Sequence, residues 1–308
     1  MFALCSVGRL SRALVLLAVA TASAQATILV TGPESAIYVA PPVYDGRFSA
    51  FLGDRSIATP TWFVAQWSNP EPLTKSVPEG PGRDWLVSND TTRIAFYHAP
   101  NPAAQIREQT YEIGQSGVAP KHPLRCGMEY DLFLSPNSGG IYATPSGAAA
   151  ASRFAQSGAI GELRTLRIAL GLDITGETLQ HRCSVNYASY VAAVTLNSSA
   201  GYSMFYQVIL RDSRGELFNN SSCDGYPSNG AYCYSSSIEF ITGQAMPTSA
   251  SGRTFFEIDF LHRLEEVIAL TTDPDRSHWF VSGLYVGQLM QGGMRPSSRW
   301  DGIVLDAY

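Results

Sequence analysis

The chain has 308 residues and a formal net charge of −5 at pH 7, with 26 acidic and 21 basic side chains. An acidic chain without a basic cluster disfavours nucleic acid or an anionic membrane surface as the main partner. Charged residues make up only 15%, while 27 glycines and 18 prolines indicate many turns. This composition is typical of secreted proteins built from short strands.

The first 26 residues have the pattern of an export signal. Arg9 and Arg12 precede an apolar run over 13–20, and small residues over 22–26 form a cleavage pattern. The run is far shorter than the ~20 residues of a membrane-spanning helix, so it predicts a removable signal and no transmembrane anchor. We expect a secreted or periplasmic protein that begins at Gln25 or Thr27.

Strand patterns follow through the rest of the chain. Ten segments are rich in β-branched and aromatic residues: Thr61–Trp67, Arg93–Tyr97, Met128–Leu134, Leu166–Leu172, Tyr190–Leu196, Met204–Leu210, Ser237–Thr242, Thr254–Phe260, Trp279–Gly287 and Gly302–Ala307. Turn signals separate them, among them Asp212–Gly215, Gln291–Gly293 and Pro296–Ser298. Only Leu261–Leu270 has helical spacing. The predicted fold is all-β, an antiparallel β-sandwich of the jelly-roll kind with one short helix.

We expect residues 27–308 to form a single domain. The alternative is a split near residue 150, where Pro145–Gly161 is rich in small residues and could serve as a connection. Each half would then need a full set of strands, which favours one large sandwich.

Four cysteines remain after removal of the signal segment: Cys126, Cys183, Cys223 and Cys233. An even number in an exported protein predicts two disulfides, for which three pairings exist. The short spacing of Cys223 and Cys233 favours a stapled loop and leaves Cys126 with Cys183. No pair has the C-x₂₋₄-C spacing of a zinc site.

Two strands carry the same pattern of acids, Glu129 with Asp131 and Glu257 with Asp259. Alternate residues of a strand face the same side, so each pair lies opposite apolar neighbours. Two carboxylates on one sheet face can act as nucleophile and acid in sugar chemistry. The alternative interpretation is the solvated face of an amphipathic strand.

The Glu-x-Asp-hydrophobic pattern resembles the core motif of retaining β-glucanases in the concanavalin A-like jelly-roll superfamily of lectins and glucanases. This resemblance implies a carbohydrate-active sandwich with a catalytic first Glu. In that superfamily a third acid follows, whereas here Leu134 and His262 stand at its positions. A hydrolase would therefore need a carboxylate from elsewhere, for which Asp212, Glu239 and Asp301 are the candidates.

Aromatic side chains are the second candidate feature, because sugar rings stack on indole and phenol rings while Asn, Gln and Asp bind the hydroxyls. The residues predicted to bind a ligand are Trp62, Gln66, Trp85, Tyr232, Trp279 and Trp300. They make polysaccharide binding the leading function. A polysaccharide hydrolase or lyase using the paired carboxylates and a structural or host-interaction role are the alternatives.

No cofactor motif occurs in the sequence. The five histidines lack metal-ligand spacing, and there is no nucleotide-binding or nucleophile-elbow motif. Calcium is the candidate ion, for which the loop oxygens of Asp212 or Asp224 are the candidate ligands.

Overall fold

The computed structural model describes residues 157–248 and 251–308 without a break, and shorter pieces of the preceding chain. Those pieces are 26–32, 36–39, 50–53, 62–67, 73, 75–79, 84–88, 93–97, 110–114, 126, 129–136 and 154. The predicted signal segment, apart from Ala26, and most of the predicted 145–161 connection lie outside the described residues.

Strands dominate the described chain. They are β1 Thr27–Gly32, β2 Ala36–Val39, β3 Ala50–Gly53, β4 Trp62–Trp67, β5 Lys75–Glu79, β6 Asp84–Ser88, β7 Arg93–Tyr97, β8 Thr110–Gly114, β9 Glu129–Pro136, β10 Leu166–His181, β11 Tyr187–Ser198, β12 Ser203–Asp212, β13 Ser221–Ser222, β14 Ala231–Ser237, β15 Arg253–Asp259, β16 Trp279–Gln291 and β17 Gly293–Ala307. Nine of the ten predicted strands are present, several of them longer than predicted.

The strands form two sheets. Sheet A has the order β15-β10-β17-β8-β7-β6-β5, with β1 also paired to β17. Sheet B has the order β13-β14-β12-β11-β16-β9-β4-β2-β3. Neighbouring strands are antiparallel except for two parallel pairs, β12 with β14 and β2 with β4. The predicted all-β sandwich is confirmed, with these two parallel pairs as the departure from an antiparallel arrangement.

The main core lies between the sheets. Alternate residues of β10 in sheet A, such as Ile168 and Leu170, pack in one cluster with alternate residues of sheet B, such as Tyr190 and Tyr206. All four side chains are fully buried. Because strand residues alternate in direction, the intervening residues of each sheet point away from this core.

Two α-helices are described over their whole length, α1 at Ile238–Thr242 and α2 at Leu261–Ile268. Helix α2 confirms the predicted helix and buries Leu261, Leu264, Val267 and Ile268. The prediction of a strand over Ser237–Thr242 is wrong, because helix α1 occupies all of this segment except Ser237. Gly243 ends the helix in the left-handed conformation at φ 73°. Neither helix has the length and apolarity to cross a membrane, nor does any other in the described part of the chain.

Two disulfides are formed, Cys126–Cys183 and Cys223–Cys233, with Cα–Cα distances of 5.5 Å and 5.3 Å. The favoured pairing is therefore confirmed. The first disulfide joins the chain just before β9 to the connection after β10, and the second closes the loop between β13 and β14.

Candidate functional site

The candidate site is the face of sheet B that points away from the main core, called here the outer face. In β9 the core side carries Leu132 and Leu134, so Glu129, Asp131 and Phe133 lie on the outer face. The outer face has its own small apolar cluster, formed by Phe133, Val191, Ile209 and Leu289. A second apolar surface on the far side of a sheet is more than the sandwich core requires.

Strand pairing arranges the outer face in rows that cross the sheet. Glu129 pairs with Gln291 and Gln291 with Tyr187, which gives the first row. The second row is Asp131, Leu289, Ser189 and Asp212. The third is Phe133, Gly287, Val191 and Ile209. The fourth row is Tyr285, Ala193, Gln207 and Ser235, and the fifth row is Thr195, Phe205 and Cys233. Successive rows are about 7 Å apart, the distance of two strand residues.

Three aromatic rings pack together beyond the second row. The ring centroids of Phe205 and Tyr285 are 5.8 Å apart, and Phe133 lies 6.5 Å from Phe205 and 6.1 Å from Tyr285. All three contacts are edge-to-face, the geometry that aromatic quadrupoles favour. Phe133 is buried, whereas Phe205 and Tyr285 are partly exposed. The trio therefore offers ring surface to a ligand.

Polar groups border the aromatic trio. Gln207 donates a hydrogen bond of 2.7 Å from Nε2 to Ser235 Oγ. The Cys223–Cys233 disulfide lies beside them, with Cys223 Sγ 3.9 Å from the same amide nitrogen. Thr195 Oγ1 accepts a 3.0 Å hydrogen bond from Ser282. Amide and hydroxyl groups beside rings are the combination that binds sugars.

Glu129 lies in the first row, at the opposite end from Phe205. The Tyr187 hydroxyl donates a hydrogen bond to Glu129 Oε2. Burial raises the pKa of the Glu129 carboxyl, Arg214 opposes this rise, and the Asp224 carboxylate adds to it. The result is a pKa above the ordinary value for Glu.

Asp131 lies in the second row. Its Oδ1 is buried and accepts no hydrogen bond from any described residue. Burial, with a smaller contribution from the negative charge of Glu129, raises the pKa of Asp131 to about 8. Asp131 is therefore mostly protonated at pH 7 and can donate a proton or a hydrogen bond.

Asp212 ends the second row and is engaged by its neighbours. Arg214 donates hydrogen bonds of 3.0 Å and 2.7 Å to the two carboxylate oxygens, and Ser189 Oγ donates one of 2.6 Å. Burial raises the pKa of Asp212, but these hydrogen bonds outweigh it and hold the pKa below the ordinary range. The Arg214 guanidinium also lies 4.1 Å from the centroid of the Tyr187 ring. Asp212 thus fixes Arg214 beside Tyr187.

The second predicted acid pair lies elsewhere, on sheet A. Glu257 accepts a 2.7 Å hydrogen bond from Arg167, which also pairs with Asp306 at 2.9 Å. Asp259 Oδ1 accepts hydrogen bonds from the backbone N–H of Leu166 and of Leu261. Both carboxylates therefore have structural partners. The two acid pairs do not share a site.

Most of the predicted aromatic ligands are core residues. Trp62, Trp279 and Trp300 are at most 1% exposed, so they present no ring face to a sugar. Tyr232 is buried and bonded through its hydroxyl to Thr272, and it packs edge-to-face on Trp279. The prediction that these four aromatic residues bind a ligand is therefore wrong, because their large rings fill the space between the sheets. The side chains of Gln66 and Trp85 lie outside the described residues.

The other candidate acids are also engaged. Glu239 Oε1 accepts a hydrogen bond from the backbone N–H of Met246, and Asp301 pairs with Arg253 at 2.6 Å. The calcium candidate Asp212 is taken up by Arg214, and Asp224 is exposed. No group of three or more metal-ligating side chains occurs in the described part of the chain.

Sequence reasoning missed the residues that make the outer face distinctive: Phe133, Tyr187, Phe205, Gln207, Arg214 and Tyr285. A signal for Phe205 and Gln207 exists in β12, where they alternate with Met204, Tyr206 and Val208. Both alternating sets contain an aromatic residue, and the sequence of one strand does not tell which set meets the other sheet.

No family model and no curated sequence matches the chain. Similar solved structures include a family 12 xyloglucanase from Bacillus licheniformis, with 10% identity, a TM-score of 0.43 and coverage of 79% of this chain and 100% of that one. An endoglucanase from Rhodothermus marinus has 10% identity, a TM-score of 0.38 and coverage of 76% and 96%. A family 11 xylanase from Neocallimastix patriciarum has 8% identity, a TM-score of 0.39 and coverage of 80% and 99%.

Proposed function

We propose that this chain is a secreted carbohydrate-binding β-sandwich protein that binds a polysaccharide on the outer face of sheet B. The observation that carries the proposal is the partly exposed aromatic pair Phe205 and Tyr285, which rests on buried Phe133 and lies beside Gln207. A sheet face that only meets water needs no such cluster. Rings bordered by amide and hydroxyl groups suit the apolar faces and hydroxyl edges of sugars.

The test is retention of the mature protein on insoluble or gel-embedded polysaccharides. We expect Phe205→Ala to weaken retention at least about tenfold, because a lost ring contact removes about 1.4 kcal/mol or more. The matched control is Phe255→Ala, an aromatic residue that is 53% exposed on β15 of sheet A. Equal retention by both variants, or blank results across a broad polysaccharide panel, contradicts the proposal.

A second candidate function is polysaccharide cleavage, and Asp131 is the observation that favours it. A carboxyl with a pKa of about 8 is protonated at pH 7 and suits a general acid. Glu129 lies two residues before Asp131 on the same face of β9. Its carboxylate accepts a hydrogen bond from Tyr187 and suits a base or nucleophile.

Release of reducing sugar from the polysaccharide that is bound tests this second candidate. Catalysis predicts that Glu129→Gln and Asp131→Asn each lower turnover by several orders of magnitude while retention survives. Glu257→Gln, on sheet A, is the matched control and should leave turnover unchanged. Binding without any release by the unaltered protein assigns the site to binding alone.

A further inference from the structure

The outer face differs in charge from one end to the other. The aromatic end, with Phe205 and Tyr285, is bordered by uncharged groups. The first two rows carry Glu129, Asp131 and Asp212. Glu216 and Asp224 add charge there, since Glu216 lies 3.2 Å from Arg214 and the Asp224 carboxylate acts on Glu129. The acidic end thus adjoins the ring surface proposed to bind sugar.

The cation that contacts these acids, Arg214, is already engaged. It makes two hydrogen bonds with Asp212, an ion pair with Glu216 and a stacking contact with Tyr187. Its single charge is therefore shared by two carboxylates before Glu129 is considered. Burial, the largest cause, raises the pKa of Glu129 by more than Arg214 lowers it, so Arg214 does not offset the cost of ionising this carboxyl.

Asp131 supplies a second, independent observation. Its Oδ1 is buried on the outer face and accepts no hydrogen bond from the described residues. A buried carboxyl oxygen without a donor destabilises the folded protein. Such an atom is satisfied when a ligand brings a donor, and a cationic donor gives the strongest hydrogen bond.

Resting on the proposed function, we infer that the glycan bound on the outer face is an amino-sugar polymer with free ammonium groups. One ammonium lies between Glu129 and Asp131, and neighbouring sugar rings of the same chain stack on Phe205 and Tyr285. Charge complementarity selects this ligand over glycans that bear carboxylate or sulfate groups, which the acidic end repels. Acetylation of the amino groups removes the charge and with it the preference.

Binding of an ammonium group changes the protonation of Asp131. An ammonium beside Asp131 favours the ionised carboxylate, so binding near pH 7 releases a proton from the Asp131 carboxyl. The charged and titratable groups that face this position are Glu129 on the same strand, Tyr187 on β11, Asp212 at the end of β12, and Arg214 and Asp224 after β12. Asp131 itself has a pKa of about 8.

Three hexasaccharides test the inference by calorimetry at low salt: a glucosamine hexamer, the matching N-acetylglucosamine hexamer and a galacturonic acid hexamer. We expect the glucosamine hexamer to bind at least about tenfold more tightly than its acetylated form. Added salt should reduce this preference, and heats in buffers of different ionisation enthalpy should show proton release on binding.

Variants test whether Glu129 and Asp131 cause the preference for the glucosamine hexamer over its acetylated form. Glu129→Gln and Asp131→Asn should each reduce the ratio of the two affinities towards one, while Glu257→Gln should leave it unchanged. Equal affinity for the two hexamers, or tighter binding of the galacturonic acid hexamer, overturns this inference and leaves polysaccharide binding standing. A preference that persists in both Glu129→Gln and Asp131→Asn also overturns it. Failure of all three hexamers and of every neutral polysaccharide overturns the proposed function itself.

Discussion

Two aspartates in one row of the outer face have opposite electrostatic situations. The Oδ1 atom of half-buried Asp131 is buried without a described donor, and the pKa of this carboxyl rises to about 8. Asp212 is buried too, but Arg214 and Ser189 donate to it and its pKa falls. Burial raises both pKa values, so the hydrogen-bond donors decide the difference. The two aspartates therefore change the stability of the protein with pH in opposite directions.

The first prediction concerns Asp131→Asn. The unfolded carboxyl has a pKa near 4, so between about pH 4 and pH 8 the folded protein binds more protons than the unfolded chain at this position. This group therefore lowers the free energy of unfolding as pH rises through that window. Asp131→Asn removes the effect, and we expect the variant to be more stable than wild type at pH 8 by more than about 1 kcal/mol. Urea unfolding at pH 4, 6 and 8 should show the gap growing with pH.

Asp212→Asn is the matched comparison and should behave in the opposite way. A lowered folded pKa gives stability that is present above the unfolded pKa and is lost as pH falls. The variant should be less stable than wild type at pH 7 by about 1–3 kcal/mol, because Arg214 loses its partner. A gap that does not narrow towards pH 3, or one of the same sign as in Asp131→Asn, contradicts this account.

The second prediction concerns Gly287, which lies between Phe133 and Val191 on the outer face. A Cβ at Gly287 would lie 2.1 Å from the Leu132 carbonyl oxygen and 2.8 Å from Phe133 Cα, both backbone atoms. We expect Gly287→Ala to lower the free energy of unfolding by about 1–3 kcal/mol, the usual cost of overpacking. Gly176→Ala is the control, since its Cβ meets only Ser297 Cβ at 3.8 Å. Chemical denaturation of both variants measures the difference, and equal stability would contradict the close approach of β9.

At the scale of elements, the turn between β11 and β12 is tied to the segment before β16. Ser198 Oγ donates to Asp273 Oδ2, while His278 Nδ1 lies 2.8 Å from Asp273 Oδ1. The hydrogen bond with Asp273 raises the pKa of His278, and Asp275 adds to the rise at 3.7 Å. Protonated His278 therefore bridges two carboxylates and holds the turn against the sandwich.

The third prediction follows from the raised pKa of His278. Its contribution to stability is fully present below the unfolded pKa of about 6.5 and is lost as pH rises through the folded pKa. We expect His278→Asn to lower the melting temperature at pH 5.5 and to have a much smaller effect at pH 9. His262→Asn is the control, because that side chain is 80% exposed on α2. Equal losses at both pH values for His278→Asn would show that its charge has no part in the effect.

Strand positions were the predictable part of the fold, because β-branched and aromatic runs bounded by turn residues reflect local preferences. Arg93–Tyr97 is a strand with the predicted bounds. Ser237–Thr242 has a similar composition but is helical after Ser237, where Ile238 reaches the core. Pro296 is predicted in a turn yet lies within β17, where it pairs with Glu177 of β10 just before the pairing with β8 begins at Ser297. Tertiary context overrides local preference at both places.

The candidate site was less predictable than the strands. The acid pair Glu129 and Asp131 was found from alternation, and the structure places it on the outer face. The aromatic partners were not found, because Trp62, Trp279 and Trp300 look as suitable as Phe205 until the two sheets are assembled. Which face of a strand meets the other sheet depends on contacts between residues far apart in the sequence. The single-domain arrangement of residues 27–308 stays a prediction.

At the scale of the whole molecule, the two disulfides close loops of very different length. Cys126 and Cys183 are separated by 57 residues, and Cys223 and Cys233 by 10. In the chain-entropy model the longer loop stabilises the folded state by about 4 kcal/mol and the shorter one by about 3 kcal/mol. The long-range disulfide also joins the chain next to β9, which carries Glu129 and Asp131, to the connection between β10 and β11.

The last prediction compares removal of each disulfide. After removal of the predicted signal segment, which carries Cys5, the protein should contain no thiol that reacts with a labelling reagent, since the other four cysteines are paired. Replacing Cys126 and Cys183 by Ser should lower the melting temperature more than replacing Cys223 and Cys233, because the constraint removed from the unfolded chain is larger. Loss of Cys223–Cys233 should instead weaken polysaccharide retention, since Cys223 lies beside Gln207 on the outer face. We measure the melting temperature by calorimetry and the retention on polysaccharide for both double variants. These two measurements separate the loss of stability from the loss of binding. Two reactive thiols in the native protein, or the reverse order of melting temperatures, would contradict the assignment of these roles.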